Sequence, residues 1–235
     1  MIFLSDFENI IAEQFSFVKA LSSNQSKKHI VMRHKILGSQ IAVLNFNGNA
    51  DVYEILKNLS HPNLPRILSV EQNSENCCVI EEYINGITVA ENLQNGLYTE
   101  KGVRTVVKEV CSALDALHSR NIIHRDIKPE NIMIDSQGDV KLIDFDASRI
   151  YKSYKSEDTS FIGTAGFAAP EQFGINQTDP RSDIFALGIL MNVMLTGEHP
   201  SKTLYKGRLT SIIEKCINVD PNARFRNVRE LHSKL

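Results

Sequence analysis

The sequence predicts an α+β protein in which a β-rich part comes first and a larger helical part follows. Short stretches rich in β-branched and aromatic residues, separated by polar turns, are concentrated before residue 84. Beyond that point apolar residues recur at spacings of three and four, which is typical of amphipathic helices. At 235 residues the chain is long for one compact domain and typical of a two-lobed one.

Each predicted element follows from its own pattern. Residues 1–14 alternate acidic and apolar positions and predict a leading helix, while Val52, Ile55, Leu56 and Leu59 form the apolar face of a second one. The segments 131–134 and 140–143 are apolar, β-prone and separated by a polar turn, which predicts a hairpin. The other predicted strands are 15–21, 28–33, 39–46, 66–71 and 76–83, and the other predicted helices are 88–95, 99–119, 181–195, 208–216 and 228–235.

Composition excludes several classes of protein. Apolar residues make up 42% of the chain, which is enough for a real core. A net charge of −2 gives no basic surface for nucleic acid. No apolar run reaches the ~18 residues of a membrane span, and the N-terminus lacks the pattern of a signal peptide. The cysteines form no C-x-x-C pair and predict reduced core thiols, and therefore a cytoplasmic location: Cys77, Cys78, Cys111 and Cys216.

The residues that carry chemistry are concentrated between 122 and 146. Asp126, Lys128 and Asn131 lie on one short loop, and the predicted hairpin brings Asp144 back beside Asn131. An amide and a carboxylate suit Mg²⁺, which prefers few protein ligands together with phosphate oxygens. Asp126 is then placed to accept a proton from a hydroxyl nucleophile, and Lys128 to neutralise charge on a moving phosphoryl group.

This stretch resembles the protein kinases. His-Arg-Asp-x-Lys-Pro-x-Asn at 124–131 is similar to their catalytic loop, in its Ser/Thr form because of Lys128. Asp144-Phe145-Asp146 resembles the metal-binding Asp-Phe-Gly triplet, and 169–171 matches the closing Ala-Pro-Glu. The resemblance implies the two-lobed kinase fold, with a small β-rich N-lobe over 1–84 and a larger helical C-lobe over 85–235. The stretch 168–200 is most similar to bacterial Ser/Thr kinases.

The N-terminal part departs from the family pattern. The Gly-rich loop pattern falls without gaps on 21–29, where its three glycines become Ser22, Asn24 and Lys27 and its valine becomes His29. The strand lysine of Ala-x-Lys becomes Leu44. Val52 takes the place of the helix glutamate that pairs with that lysine. Glycine freedom near the phosphates and the usual phosphate-binding cation are therefore both missing.

The resemblance also implies the cofactors, ATP and Mg²⁺, and the residues around them. Lys27 stands where the with-no-lysine kinases carry a lysine, so its ammonium is a candidate replacement, with a solvated turn residue as the alternative. Residues 81–86 resemble the hinge, whose backbone binds adenine, and Glu81 takes the gatekeeper place, where a buried carboxylate needs a partner. The implied nucleotide-binding set is Ser22, Asn24, Lys27, Ala42, Glu82, Tyr83 and Ile84, and the implied metal ligands are Asn131 and Asp144.

Further positions match the family in the segment that follows the metal-binding Asp. Thr164 is expected to bond Asp126 and Lys128. Arg125 is placed to pair with a phosphate on Thr159 or Ser160, with an unmodified polar loop as the alternative. Asp146 replaces a glycine, and aspartate tolerates positive φ better than most residues.

Two structural contacts and a histidine complete the matched positions. Asp183 is expected to hold the backbone at 124–125. Arg224 is expected to pair with Glu171. His118 is expected to be a packed residue at a helix end.

Two functions remain open from the sequence. The first is an ATP- and Mg²⁺-dependent protein Ser/Thr kinase in which Asp126 and Lys128 are catalytic and the partner is a protein with a Ser or Thr hydroxyl. The second is a pseudokinase, a nucleotide-binding or scaffold module. It is favoured by the missing glycines and by the loss of the lysine–glutamate pair, because a missing phosphate-binding cation slows transfer.

Overall fold

A five-stranded antiparallel sheet forms the first part of the chain, and its strands lie side by side in the order Phe15–Ser23, Lys27–His34, Gln40–Asn47, Asn76–Glu82 and Ile67–Gln72. The computed structural model describes residues 11, 13–23, 27–47, 50–72, 76–151, 164, 166–173 and 178–235. The chain divides into two compact units. The small unit comprises Met1–His61 and Pro65–Ile84, and the large unit comprises Pro62–Leu64 and Asn85–Leu235.

The small unit buries both faces of its sheet. Ile30, Met32, Val43 and Cys78 form a cluster on one face together with Ile11. The other face also carries buried apolar side chains, and the period of two along each strand explains why alternate residues serve the two faces. The strands are β1 (Phe15–Ser23), β2 (Lys27–His34), β3 (Gln40–Asn47), β4 (Ile67–Gln72) and β5 (Asn76–Glu82), with helix α1 (Asp51–Lys57) between β3 and β4.

The large unit is built around two long helices. The first begins after Thr99, whose hydroxyl accepts a hydrogen bond from the N–H of Gly102 and caps the helix. The second is buried along most of its length and packs so closely at Gly188 that a Cβ there would lie 2.6 Å from the Cβ of Cys216. The helices are α2 (Val89–Leu93), α3 (Glu100–His118), α4 (Arg181–Thr196), α5 (Thr210–Cys216) and α6 (Val228–His232).

Short strands frame the catalytic loop. Strands β6 (Gly86–Thr88), β8 (Ile132–Asp135) and β9 (Val140–Leu142) form a three-stranded sheet, and β7 (Ile122–Ile123) pairs with β10 (Arg149–Ile150). Asn63 anchors the β8–β9 hairpin, because its side-chain amide donates to the Val140 carbonyl and its backbone carbonyl accepts from the Leu142 N–H. The predicted hairpin is thus confirmed.

Other predictions from the sequence have mixed outcomes at this level. Most of the leading helix, 1–14, lies outside the described residues, although residues 11, 13 and 14 are helical. In the described part of the chain, no helix is both long and apolar enough to cross a bilayer. All four cysteines are buried, as expected for core positions, and none is joined to another by a disulfide.

Candidate active site

The catalytic loop follows β7, and one buried carboxylate binds its backbone. Asp183, in the first turn of α4, accepts hydrogen bonds from the backbone N–H groups of His124 (3.0 Å) and Arg125 (2.8 Å). Its Oδ2 also lies 2.8 Å from Nε2 of His118. Burial would raise the pKa of Asp183, but the bond to His118 and the backbone donors outweigh it, so the pKa lies below its usual range. The predicted contact between Asp183 and the loop is confirmed.

Two histidines beside this carboxylate have structural roles. His118 was expected only to pack at a helix end, yet it is a hydrogen-bond partner of Asp183. His124 is fully buried, lies edge-on to the ring of Phe145, and has Nε2 3.3 Å from the carbonyl of Ile143. Burial lowers the pKa of His124. These contacts fix the loop's backbone from two sides.

Asp126, Lys128 and Thr164 form a closed hydrogen-bonded network. The Lys128 ammonium donates to the Thr164 hydroxyl at 2.8 Å and lies 2.7 Å from Oδ2 of Asp126. The Thr164 hydroxyl donates to Oδ1 of Asp126 at 2.6 Å. Burial alone would raise the pKa of Asp126, but the bonds from Lys128 and Thr164 outweigh it, so the pKa is lowered and the group is a carboxylate at neutral pH. The expected bonds of Thr164 are confirmed.

Asn131 is joined to the same carboxylate. It lies at the end of a short 3-10 turn, Pro129–Asn131, and its amide N–H₂ donates to both the carbonyl and Oδ2 of Asp126, each at 2.9 Å. The Ile143 N–H donates to the backbone carbonyl of Asn131 at 2.9 Å, which brings the backbone of the neighbouring Asp144 beside Asn131. The hairpin therefore brings the backbones of the two predicted metal ligands, Asn131 and Asp144, close together in space.

The donor set at this place fits Mg²⁺ better than a metal that needs a protein cage. Because the Asn131 N–H₂ group is used by Asp126, its oxygen remains an acceptor, and Asp144 supplies a carboxylate. Among the described residues no group of three or more His, Cys, Asp or Glu side chains could hold a metal. One amide and one carboxylate match an ion that keeps water and phosphate oxygens in its shell.

Two residues at this site have φ in the left-handed region, Arg125 at 68° and Asp144 at 66°. The Oδ1 of Asp144 accepts a 3.3 Å bond from the N–H of Asp146. Asp146, which replaces the glycine of the family triplet, does not have positive φ. The tolerance of aspartate for positive φ is therefore used two residues earlier than expected.

Two residues shortly after Ala169, Glu171 and Gln172, contact segments that are distant in sequence. Glu171 pairs with the buried Arg224, with an Nη1–Oε1 distance of 2.7 Å, as expected. Gln172 accepts a hydrogen bond from the Ala169 N–H and donates to the Arg125 carbonyl at 3.1 Å. Gln172 was not predicted from the sequence, because these two partners are backbone groups.

The arginine of the loop lies close to a second one. Burial, together with the nearby charge of Arg149, lowers the pKa of Arg125 to about 10. Thr159 and Ser160, the predicted phosphate acceptors, lie outside the described residues, so this pairing stays a prediction.

Comparison with known proteins identifies the family. A model of the protein kinase domain matches residues 14–234. The chain belongs to the protein kinase family. It is 34% identical over 163 residues to a probable serine/threonine-protein kinase of Dictyostelium discoideum, which covers 67% of this chain and 36% of that protein. It is 30% identical to sperm motility kinase 2B of Mus musculus over 80% of this chain and 40% of that protein.

A bacterial relative is found as well. The probable serine/threonine-protein kinase PknB of Lactococcus lactis is 31% identical over 172 residues, or 72% of this chain and 27% of that protein. The chain thus spans about a quarter to two fifths of the length of these relatives. The predicted two-lobed α+β kinase fold and the resemblance to Ser/Thr kinases are confirmed.

The nucleotide-binding residues expected of a kinase all belong to the small unit. Ala42 is buried on β3, and Glu82 ends β5, where its carboxylate accepts from the Arg66 N–H at 3.1 Å. Tyr83 follows, with the Lys19 ammonium 5.5 Å from its ring centre, and then the buried Ile84. The expected positions in the former glycine loop fall partly outside the described residues: Asn24 entirely, and Ser22 and Lys27 in their side chains.

The gatekeeper position has the partner that its burial requires. Nε2 of His29 on β2 lies 3.2 Å from Oε1 of Glu81 on β5. Leu44 and Val52, where a kinase carries the lysine and the glutamate, are both buried apolar residues. A largely buried pair is therefore present in the small unit; the sequence indicated that Glu81 needs a partner but not that His29 is that partner.

Proposed function

We propose that this chain is an ATP- and Mg²⁺-dependent protein Ser/Thr kinase that transfers the γ-phosphoryl group to a hydroxyl of a protein substrate. The observation that carries the proposal is the network of Asp126, Lys128 and Thr164. Its hydrogen bonds leave one acceptor and one donor free at the place where an alcohol and a phosphoryl group would meet.

The acceptor follows from counting bonds on Asp126. A carboxylate has about four lone-pair sites. Oδ2 accepts from Asn131 and is paired with Lys128, whereas Oδ1 accepts only from Thr164 among the described residues. The remaining site on Oδ1 is available to a substrate hydroxyl, which it would orient and whose proton it would accept.

The donor follows from the same count on Lys128. An ammonium has three N–H groups, and Lys128 directs two of them to Thr164 and Asp126. The third is available to an oxygen of the transferred phosphoryl group and would stabilise its charge. Mg²⁺, held by the side-chain oxygens of Asn131 and Asp144, would supply further charge neutralisation on the phosphates. The cytoplasmic location expected from the cysteines stays part of this proposal.

A second function, a pseudokinase with a scaffold role, is favoured by the small unit. Leu44 and Val52 are buried and uncharged, so the usual pair of a phosphate-binding lysine and its glutamate cannot form at those positions.

Transfer of labelled phosphate from Mg·[γ-³²P]ATP to a generic acceptor protein and to the chain itself tests both functions. Wild type, Asp126→Ala and Lys27→Ala are compared. We expect transfer by the wild type and only background in Asp126→Ala. Wild-type transfer no higher than that background would favour the scaffold. Lys27→Ala reports whether the loop lysine is needed.

A further inference from the structure

A histidine–glutamate pair lies on one face of the small unit's sheet. In strand register His29 is directly opposite Leu44, and Glu81 is directly opposite Ala42. Directly opposed residues share a face, and so do residues two apart on one strand. These four side chains therefore project from the same face of the sheet.

The pair crosses β3 to meet. Nε2 of His29 and Oε1 of Glu81 are 3.2 Å apart, and the side chains are only 19% and 10% exposed. β3 lies between β2 and β5, and the small side chain of Ala42 leaves room for two longer ones to meet above it. A carboxylate this far from water is costly unless a cation or donor faces it, and His29 meets that need.

This face also carries the positions through which the small unit would bind nucleotide. Ala42 belongs to the expected nucleotide-binding set, and Leu44 stands where a lysine would neutralise phosphate. Triphosphate requires a cation, and Leu44 offers none. Among the described side chains that can carry positive charge, His29 is the one directly opposite Leu44; Lys19 lies on the edge strand against the Tyr83 ring.

We propose that His29, positioned by Glu81, is the phosphate-binding cation of the small unit. The pair would replace the missing lysine–glutamate pair by one formed between neighbouring strands. Protonated His29 would donate Nδ1–H to a phosphate oxygen, while its Nε2 faces Glu81, which holds the ring in place. This inference rests on the proposed binding of nucleotide.

A purely structural pair would behave differently when both members are removed together. Removing His29 alone leaves an uncompensated buried carboxylate and lowers stability for a trivial reason. The double change His29→Leu with Glu81→Leu removes both charges and fills the space with apolar groups, which is expected to leave the unliganded protein at least as stable. Only the loss of nucleotide affinity then reports on the cation.

Isothermal titration with Mg·ATP, with thermal unfolding of each unliganded variant, tests the proposal. We expect His29→Leu/Glu81→Leu to keep its unliganded melting temperature and to lose affinity by about tenfold to a hundredfold, the size of one charge-assisted hydrogen bond. His29→Lys should keep most of the affinity. Adding Leu44→Lys to His29→Leu should restore the affinity, because the new lysine lies on β3 directly opposite position 29. If this double variant does not fold, His29→Lys alone decides between the two outcomes.

The outcomes separate the two proposals. Unchanged affinity in the folded double variant would overturn the role of His29 while leaving nucleotide binding intact. Loss of affinity in Lys27→Ala but not in the double variant would assign the cation to Lys27 instead. No binding of Mg·ATP to the wild type would overturn the proposed function itself, and this inference with it.

Discussion

The catalytic loop and the face of the small unit's sheet that carries His29 and Glu81 differ in how their charged groups are paired. At the loop, two carboxylates have several partners each: Asp183 of α4 contacts two backbone N–H groups and His118, and Asp126 contacts Asn131, Lys128 and Thr164. On the sheet face, the Glu81 carboxylate has one ion-pair partner among the described side chains, His29, and buried apolar residues lie beside the pair.

The difference explains which family positions are present in this chain. The loop residues are held by contacts with segments far along the chain, so a change at Asp183 or Arg224 disturbs folding as well as chemistry. Leu44 and Val52 are packed as ordinary core residues. At these two positions an apolar residue can therefore take the place of the family's charged one without breaking a hydrogen-bond network. Residues for chemistry and residues for holding nucleotide can therefore change separately.

The largest expected effect is on transfer, at Asp126. Asp126→Asn keeps the shape and the bonds to Thr164 or Asn131 but removes the proton acceptor, so transfer should fall by about a thousandfold. Binding of Mg·ATP should change little, because the residue is assigned to the hydroxyl. Single-turnover transfer and isothermal titration measure the two quantities. Retained transfer in this variant would remove Asp126 from the mechanism.

The next effect is on stability, at Asp183. Asp183→Ala leaves two buried backbone N–H groups and His118 without their acceptor, and we expect a loss of about 3–5 kcal/mol in the free energy of unfolding. Urea denaturation measures it. Asp115→Ala is the matched control, since that carboxylate pairs with Arg229 at the surface. Equal effects of the two changes would contradict the anchoring role.

A smaller loss is expected at Arg224. Its side chain is fully buried and pairs with Glu171, so Arg224→Met should cost about 3 kcal/mol because a carboxylate loses its partner. The exposed pair of Arg229 with Asp115 should contribute much less, and Arg229→Met serves as the comparison. If both arginines gave the same urea midpoint, burial would not be what makes the first pair matter.

The sequence predicted most of the large unit because motifs there are local. Asp126, Lys128 and Asn131 lie within six residues, and the polar turn between two apolar runs was enough to predict the hairpin that returns Asp144. Asp183 and Arg224 were predicted from their matched positions. Gln172 was missed because its partners, Ala169 N–H and the Arg125 carbonyl, are backbone groups with no sequence signature.

The pair in the small unit could not be predicted from the sequence. His29 and Glu81 are 52 positions apart, and their meeting depends on the register of β2, β3 and β5 together. A shift of one residue in either pairing would move one of them to the opposite face. The sequence showed only that a buried Glu81 needs a partner, and register decided which residue it is.

A weaker effect is expected only in acid. The pKa values of Asp126 and Asp183 are lowered in the folded protein, so their contribution to stability is complete above the unfolded value of about 4 and is lost as pH falls. Unfolding midpoints between about pH 6 and 3 should therefore fall for the wild type. Asp183→Asn should flatten that decline. A wild-type midpoint that stays level in acid would contradict these two shifts.

The smallest effect is expected at Asp146, where the family has glycine. Because Asp146 lacks positive φ, glycine offers no relief of strain and adds freedom to the unfolded chain, so Asp146→Gly should lower stability by about 0.5–1 kcal/mol. Gly138, at φ 93° in the hairpin turn, is the matched control: Gly138→Ala should also destabilise, but through strain. A gain in stability or transfer from Asp146→Gly would contradict this prediction, because it would indicate that residue 146 adopts positive φ.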